Sequence, residues 1–312
     1  MIINFSYLRG KVKFSPTIIT ITLLNGYHSM IRESGYAFEE SLLFSEKRLS
    51  FIGESIHGVS EYTMLKFEIA ECYFFKQSIL IFEADNHGMF LSHQHNENAH
   101  SRLKNFPRIL RTQETVNMLA WAISRLIPCF GIDCIPRRDL NDFPMEMRTR
   151  RQREVDEYSN AKLSQVFFDW RNNKMAKNLY GIASEYPQHR MLVMLHNLHI
   201  KRHGSHEHGV LRLKSVREYL EEHMPLQSNS IAQLARHGSA FNNDSSPFNF
   251  HIRDPLSLEV CSDIRECDLF TESRIPDACI AWHHAFERET VPTKKQYEGC
   301  FVFKKINPPV LL

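Results

Sequence analysis

The sequence lacks most of the features that mark a specialised protein. Charge of one sign is not in excess: 38 lysines and arginines stand against 36 acids, a formal net charge of +2. That balance argues for neither a nucleic acid nor an anionic membrane as partner. No apolar run approaches the length of a membrane span. There is no internal repeat and no low-complexity linker. Seven cysteines (Cys72, Cys129, Cys134, Cys261, Cys267, Cys279, Cys300) include no CxxC pair, which speaks against zinc-ribbon and thioredoxin-like folds. An odd set of scattered thiols reads as small core or near-surface residues in a reducing compartment, and the expected location is cytoplasmic. Lys11 and Lys13 precede a short run, Ile18 to Leu24, that is broken by threonine and lacks a small-residue cleavage pattern. It reads as a docking strand or helix rather than a signal peptide.

What is present is enough apolar material for a core. The 312 residues are 43% hydrophobic and 24% charged, and the whole chain, 1–312, reads as a single domain. Three short apolar runs share one property. Leu49 to Ile52 leads into Gly53-Glu54-Ser55-Ile56-His57-Gly58; Ile79 to Phe82 ends at Glu83 and Asp85; Met191 to Leu195 ends at His196 and His199. Gly53 and Gly58 permit a sharp turn. Strands that each deliver an acid or an imidazole at the same end point to one shared site, because ligands in open α/β sheets sit beyond the carboxyl ends of the strands.

Helical patterns lie between these runs. Residues 31–47 look helical. Residues 59–76 place Met64, Leu65, Phe67, Ile69, Ala70, Tyr73 and Phe74 at helical spacing, with Glu61, Lys66, Glu68 and Glu71 as polar members. Residues 84–107 read as a loop rich in His and Asn, a mobile surface or an active-site rim. Leu110 to Leu126 reads as a helix with Val116, Leu119, Ala120, Ile123 and Leu126 inward. Cys129 to Asp133 is a short strand ending in an acid. Residues 146–186 read as one or two helices, with Arg148, Arg150, Arg151 and Arg153 a solvated face. Leu211 to His223 is a further helix, 227–257 has few periodic cues, and 278–282 and 301–303 are strands. Strands alternating with helices give an α/β fold with a mostly parallel central sheet flanked by helices on both faces. Of the 17 histidines, His93, His95, His100, His203, His206 and His208 read as solvated loop residues.

The candidate constellation is Glu54, His57, Glu83, Asp85, His196 and His199. An imidazole beside a carboxylate can take a proton from water near neutral pH, and the carboxylate stabilises the imidazolium formed. That suits hydrolysis of an ester or lactone. Two other readings compete. Gly53-Glu54-Ser55-Ile56-His57 approaches a nucleophile elbow, but a histidine replaces the closing glycine. Glu54, His57, Glu83, His196 and His199 are also all possible metal ligands, although the chain has no HExxH motif or other tight ligand spacing. A metal-bound His57 would have no lone pair left for a proton, so catalysis is expected without a metal or other cofactor.

Six blocks in order resemble the erythromycin esterase family. Gly53-Glu54-Ser55-Ile56-His57-Gly58 matches its Gly-Glu-x-x-His-Gly signature, followed by Glu61 and Leu65-Lys66. Phe82-Glu83-Ala84-Asp85 resembles the second block, Arg111 to Glu114 with Leu119-Ala120-Trp121 the third, and Gly131-Ile132-Asp133 the fourth. Arg171 with Met175-Ala176-Lys177-Asn178 resembles the fifth, and His196-Asn197-Leu198-His199 matches a His-Asn-x-His block. The likeness covers roughly residues 45–200. It implies an α/β core with a helical lid and hydrolysis of a macrolide lactone or related natural product, as in antibiotic resistance or biosynthesis. It implies His57 as general base oriented by Glu54, with Glu83 and His196 completing the catalytic shell. Lys66, Arg171, His199 and Asp85 are implied as substrate-binding residues, and the partner as a small molecule. The sequence departs from the pattern in two places. The stretch between Asp133 and Arg171 is short, leaving a reduced helical lid over 136–170, and Asn172 stands where an acid is usual. The shortened lid and the surplus of histidine also suit a non-catalytic pocket for a ligand or haem.

Overall fold

The computed structural model describes residues 43–44 and 46–312. The readings of 1–30 and of nearly all of the 31–47 helix lie outside them. One sheet organises the rest. Its strands are β1 (Leu49–Glu54), β2 (Ser78–Asp85), β3 (Cys129–Asp133), β4 (Arg190–His196), β5 (Ser228–Phe241), β6 (Pro247–His251), β7 (Cys267–Thr271) and β10 (Gly299–Ile306). The order is β3-β2-β4-β1-β5-β10-β7, with β6 added to the far end of β5. All neighbours are parallel except the β5–β6 and β10–β7 pairs. A separate two-stranded ladder joins β8 (Trp282–His283) to β9 (Glu287–Arg288). The expected mixed α/β sheet is therefore present.

Alternation along the strands divides two cores. Ile52, Leu80, Phe82, Leu192 and Met194 face one side with Tyr62, Leu65 and Ile69 of α1 (Ser60–Tyr73). Phe51, Ile79, Ile81, Met191, Val193 and Leu195 face the other. Side chains one residue apart on a strand point to opposite faces, so a fully apolar strand needs a cover on each side. The short α2 (Asn86–Gln94) follows β2 directly, and α3 (Gln113–Ser124) joins α1 on the first face. Next come α4 (Met145–Ala161) and α5 (Phe167–Glu185), whose Met175, Leu179 and Ala183 cover the second face. The single turn α6 (Asn197–Ile200) and α7 (Val216–Glu221) complete the second layer.

Topology places the site. From β1 the chain moves outward to β2 and β3, returns to β4, and then crosses to β5 on the far side of β1. Connections leaving the adjacent strands β4 and β1 head in opposite directions, which opens a crevice at their carboxyl ends. Glu54 and His196 are register partners at that point. Gly58 takes a left-handed φ of +70°, the conformation expected of a turn glycine. Gly53 acts differently: a Cβ there would collide with Asn197 and Ile200, so it lets α6 lie directly on β1.

Several local expectations are corrected. Residues 84–107 are not a loop, because Asp85 caps α2 by accepting from Gly88 N–H at 3.2 Å and a second short helix spans Ala99–Arg102. The helix read over 110–126 stops at Ser124; Ala120 is exposed, and Leu126, at φ +57°, is 90% exposed. The helix expected over 211–223 is only the six residues of α7, and 227–257 holds the longest strand. The strand expected over 278–282 is reduced to an isolated bridge at Ile280 and the short β8. Arg151 is not on a solvated face but buried, and Lys66 is buried on the inward side of α1. His95, His100, His206 and His208 are exposed, as expected.

Candidate active site

Four strand ends converge, and their polar side chains form one connected network. At the end of β1, Glu54 Oε1 accepts from His57 Nδ1 at 2.6 Å, and Glu54 Oε2 accepts from Lys66 Nζ of α1. Both oxygens of the carboxylate are thus held. Burial favours its neutral form, but the Lys66 charge and the His57 hydrogen bond outweigh that and keep its pKa below the usual value. With Nδ1 fixed as donor, the lone pair of His57 is on Nε2. That atom is 3.9 Å from Glu83 Oε1, beyond hydrogen-bond length. The His57 side chain is 13% exposed, against 3% for Glu54. Burial pulls the His57 pKa down, while the Glu54 hydrogen bond and the Glu83 and Glu54 charges pull harder and raise it above the ordinary value.

Glu83 is the centre of the network. Pairing of β2 with β3 slips by one residue between Phe82 and Asp85, a bulge that re-aims side chains at a strand end. Glu83 Oε1 accepts from Arg171 Nη2 at 2.7 Å, and Oε2 accepts from the His196 backbone N–H at 3.1 Å. Burial opposes its charge, but Arg171 foremost and the nearby His199 hold its pKa well below the carboxylate range. Arg171, on α5, also forks onto Asp133 at 2.9 and 3.0 Å, the bidentate geometry that suits a guanidinium. Asp133 takes a further bond from Arg137 at 2.9 Å. Asp133 carries the same signal as the other strand ends, an acid closing an apolar run, yet the sequence reading left it out of the constellation.

The two histidines of the His-Asn-x-His block differ. His199 Nδ1 lies 2.6 Å from Asn172 Oδ1, and Arg171 Nη1 lies 3.4 Å from Nε2. An amide oxygen and a guanidinium can both be satisfied only if Nδ1 carries the proton and Nε2 the lone pair. Burial lowers the His199 pKa. His196 Nδ1 accepts from Leu198 N–H at 3.2 Å, which leaves Nε2–H to donate to Ser55 O at 3.1 Å. Both ring nitrogens of His196 are therefore committed to the backbone. Burial, then the neighbouring histidines, hold its pKa well below the ordinary value.

His283 and His284 escaped the sequence reading. His284 stacks on His196 with ring centroids 4.4 Å apart, His283 meets it edge-on at 4.7 Å, and His284 N–H donates to Ser55 O at 2.9 Å. Residues 278–282 read as a strand stopping at Trp282, so nothing in the local pattern carried the next two side chains to β4. One ligand atom from each of His196, His283 and His284 falls within 4.8 Å of the others, and His283 Nδ1 is buried without a partner. Neutral imidazoles are the ligand form. A metal here would need His196 to surrender a backbone hydrogen bond, since neither of its nitrogens is free.

The remaining expected residues are also accounted for. Ser55 Oγ is paired with the Tyr62 hydroxyl at 3.0 Å rather than with an imidazole. Asp85, grouped by sequence with the pocket, is 1% exposed. It accepts from Gly88, Arg137 and Arg138 backbone N–H groups and from the Arg151 guanidinium. Arg151 and Glu154, which pairs with His87 at 3.1 Å, tie α4 to the end of β2. A cavity of about 30 Å³ lies beside Glu54 and Glu83, with Lys66, Phe106 and Met118 also in its wall, room for roughly one or two waters.

Comparison with known proteins agrees on the fold. No family model matches the chain, and no curated protein matches it in sequence. Among solved structures, a Bacillus cereus protein superposes with a TM-score of 0.68 at 13% identity, over 89% of this chain and 93% of that one. A succinoglycan biosynthesis protein gives 0.61 at 14% identity, over 88% and 92%. EreC, an erythromycin esterase solved as a histidine-to-asparagine mutant in its open conformation, gives 0.64 at 12% identity, over 87% and 94%. The chain thus has an erythromycin esterase-like fold.

Proposed function

We propose that the chain is a hydrolase of an ester or lactone bond in a small molecule, with His57 as the general base on water. The observation that carries this reading is the Glu54–His57 pair. Its buried carboxylate accepts from Nδ1–H at 2.6 Å and so orients the ring, while Nε2 remains clear of Glu83 at 3.9 Å. A neutral His57 takes a proton from water as the oxygen attacks the carbonyl carbon. Glu54 and Glu83 stabilise the imidazolium, which returns the proton to the departing alkoxide. Lys66 keeps Glu54 ionised and in place, and Arg171 does the same for Glu83. His196 positions Ser55 and Leu198 through its two backbone bonds rather than moving protons, and His199 fixes Arg171. The cavity beside Glu54 is too small for a macrolide, and in this reading the substrate meets the partly exposed His57. Asp85, bound on all sides, anchors α4 in this scheme and does not touch substrate.

The test is a panel of nitrophenyl esters and lactones assayed with the wild-type chain and His57→Ala. Hydrolysis of at least one class should fall by about 10²–10⁴-fold in the variant, with an unchanged circular dichroism spectrum. A variant that keeps the wild-type rate on a turned-over substrate would end the general-base assignment.

A further inference from the structure

Two cysteines outside the candidate site face each other. Cys261 Sγ lies 2.9 Å from Cys279 Sγ, closer than two non-bonded sulfurs normally rest. Their segments are locked in register by backbone. Leu258 N–H donates to Ile280 O at 2.8 Å, Ile280 N–H donates to Leu256 O at 3.1 Å, and Ser257 and Ile280 form a parallel bridge. Trp282 N–H adds a bond to the Glu259 carboxylate at 2.9 Å. The main chain therefore holds the two cysteine-bearing segments side by side.

We propose that Cys261 and Cys279 are a modification site that closes to a reversible disulfide. A covalent bond of about 2.05 Å is reached by side-chain movement of less than an ångström or so. The two thiols have unequal roles. Cys261 is exposed and Cys279 is buried. Burial, then the neighbouring Cys261, pushes the Cys279 thiol up to about 12, so it stays protonated while Cys261 meets the oxidant. With glutathione disulfide as oxidant, the Cys261 thiolate attacks one sulfur and releases one glutathione. Cys279 then gives up its proton to the departing glutathione thiolate as its sulfur attacks Cys261 Sγ, which releases the second glutathione as a thiol. The protein loses two electrons and two protons, and the two glutathione thiols receive them. The bond pins the strip that runs from Cys279 to His284, whose N–H holds Ser55 O. In a reducing compartment the pair rests as thiols.

The experiment equilibrates the full chain across a series of reduced-to-oxidised glutathione ratios, quenches in acid, alkylates with N-ethylmaleimide and maps peptides by mass spectrometry. The expected result is a peptide pair linked through Cys261 and Cys279. It should appear along the series as a two-electron couple and vanish with dithiothreitol. Cys279→Ser should stop at a glutathione adduct on Cys261, and Cys261→Ser should leave Cys279 alkylatable only after unfolding. The proposal is overturned if both thiols survive excess glutathione disulfide. It is equally overturned if wild-type Cys261 stops at the adduct or bridges to a different cysteine. Hydrolytic activity plays no part in the readout, so the outcome is independent of the proposed function.

Discussion

Two networks of buried ionised groups among the described residues make a contrast: one has an imidazole nitrogen without a hydrogen bond at its edge, and the other has none. At the strand ends, Glu54, Glu83 and Asp133 are matched by Lys66, Arg171 and Arg137, and His57 sits at the edge with one nitrogen unbonded to them. Behind β4, Lys201 is fully buried between Glu207 at 3.1 Å and Glu289 at 3.0 Å. Glu207 also takes Gln296 and the Thr290 and Val291 backbone, while Glu289 takes the Tyr297 hydroxyl. Both networks carry the desolvation cost of buried charge. In the inner one every cation is spent on holding the C-terminal segment against the sheet. In the outer one the same expenditure leaves a polarised imidazole facing out. Buried charge by itself does not single out a candidate site; the partly exposed His57 nitrogen at the edge of the outer network is what separates the two.

The difference can be broken most severely at Lys201. Lys201→Met leaves Glu207 and Glu289 buried without their cation, and the fold should lose about 3–5 kcal/mol in denaturant unfolding. Residual folded protein should keep its turnover per active site. A collapse of activity in the folded fraction would show that the inner network belongs to the catalytic machinery.

A somewhat smaller effect is expected at Glu259. It is fully buried, and burial raises its pKa from 4.5 to about 8. A carboxyl raised in the fold keeps its stabilising contribution below the unfolded value and loses it as pH climbs toward the folded one. Between pH 4.5 and 7 the loss amounts to roughly 3 kcal/mol at the conversion of 1.36 kcal/mol per unit. Glu259→Gln should remove that slope from a series of unfolding curves; a slope unchanged by the substitution would refute the assignment.

At the outer site the measurement is a pH–rate profile. The base must be neutral, and the His57 pKa is raised, so kcat/KM should climb with pH through a midpoint above the ordinary histidine value of about 6.5. Lys66 works against protonation of His57. Lys66→Met should therefore move the rising limb to higher pH as well as lower the plateau. A limb that stays in place would mean that Lys66 acts on Glu54 alone.

The subtlest change sharpens the contrast between neutral and charged partners. Asn172 offers His199 a neutral amide oxygen at 2.6 Å. Asn172→Asp should raise the His199 pKa, seen as a later titration of its ring protons by NMR. No shift in that titration would mean that burial, not the partner at Nδ1, sets its state.

Much of the candidate site could be read from the chain because its chemistry is local to strand ends. Glu54 and His57 are three residues apart on one turn, and Glu83, Asp133 and His196 each close an apolar run that cannot avoid becoming a buried strand. The helical character of 146–186 was legible too, but not its division into α4 and α5. By contrast, β5 was illegible. Ser228, Asn229, Ser230 and Gln233 look like loop residues, yet all are buried. Ser230 N–H finds Glu298, Ser230 Oγ finds Ile200 O, and Gln233 finds Tyr62 O, partners from 30 to 171 residues away. No local pattern announces such bonds. Arg151 escaped for the same reason, and Lys66 entered only through the family resemblance: a cation on a helix reads as solvated until its buried carboxylate is known.

The sequence alone determined the alternation of strands and helices, the two apolar faces of β1, β2 and β4, and the pairing of Glu54 with His57. Those follow from periodicity and from side chains within one turn of each other. Only the tertiary structure decided that Glu83, Asp133 and Arg171 form one bonded cluster, that Asp85 bonds to Arg151 of α4, and that His283 and His284 lie against His196. Those depend on strand order and on hydrogen bonds between segments far apart in the chain, whose closing cost is repaid only when the whole sheet has assembled.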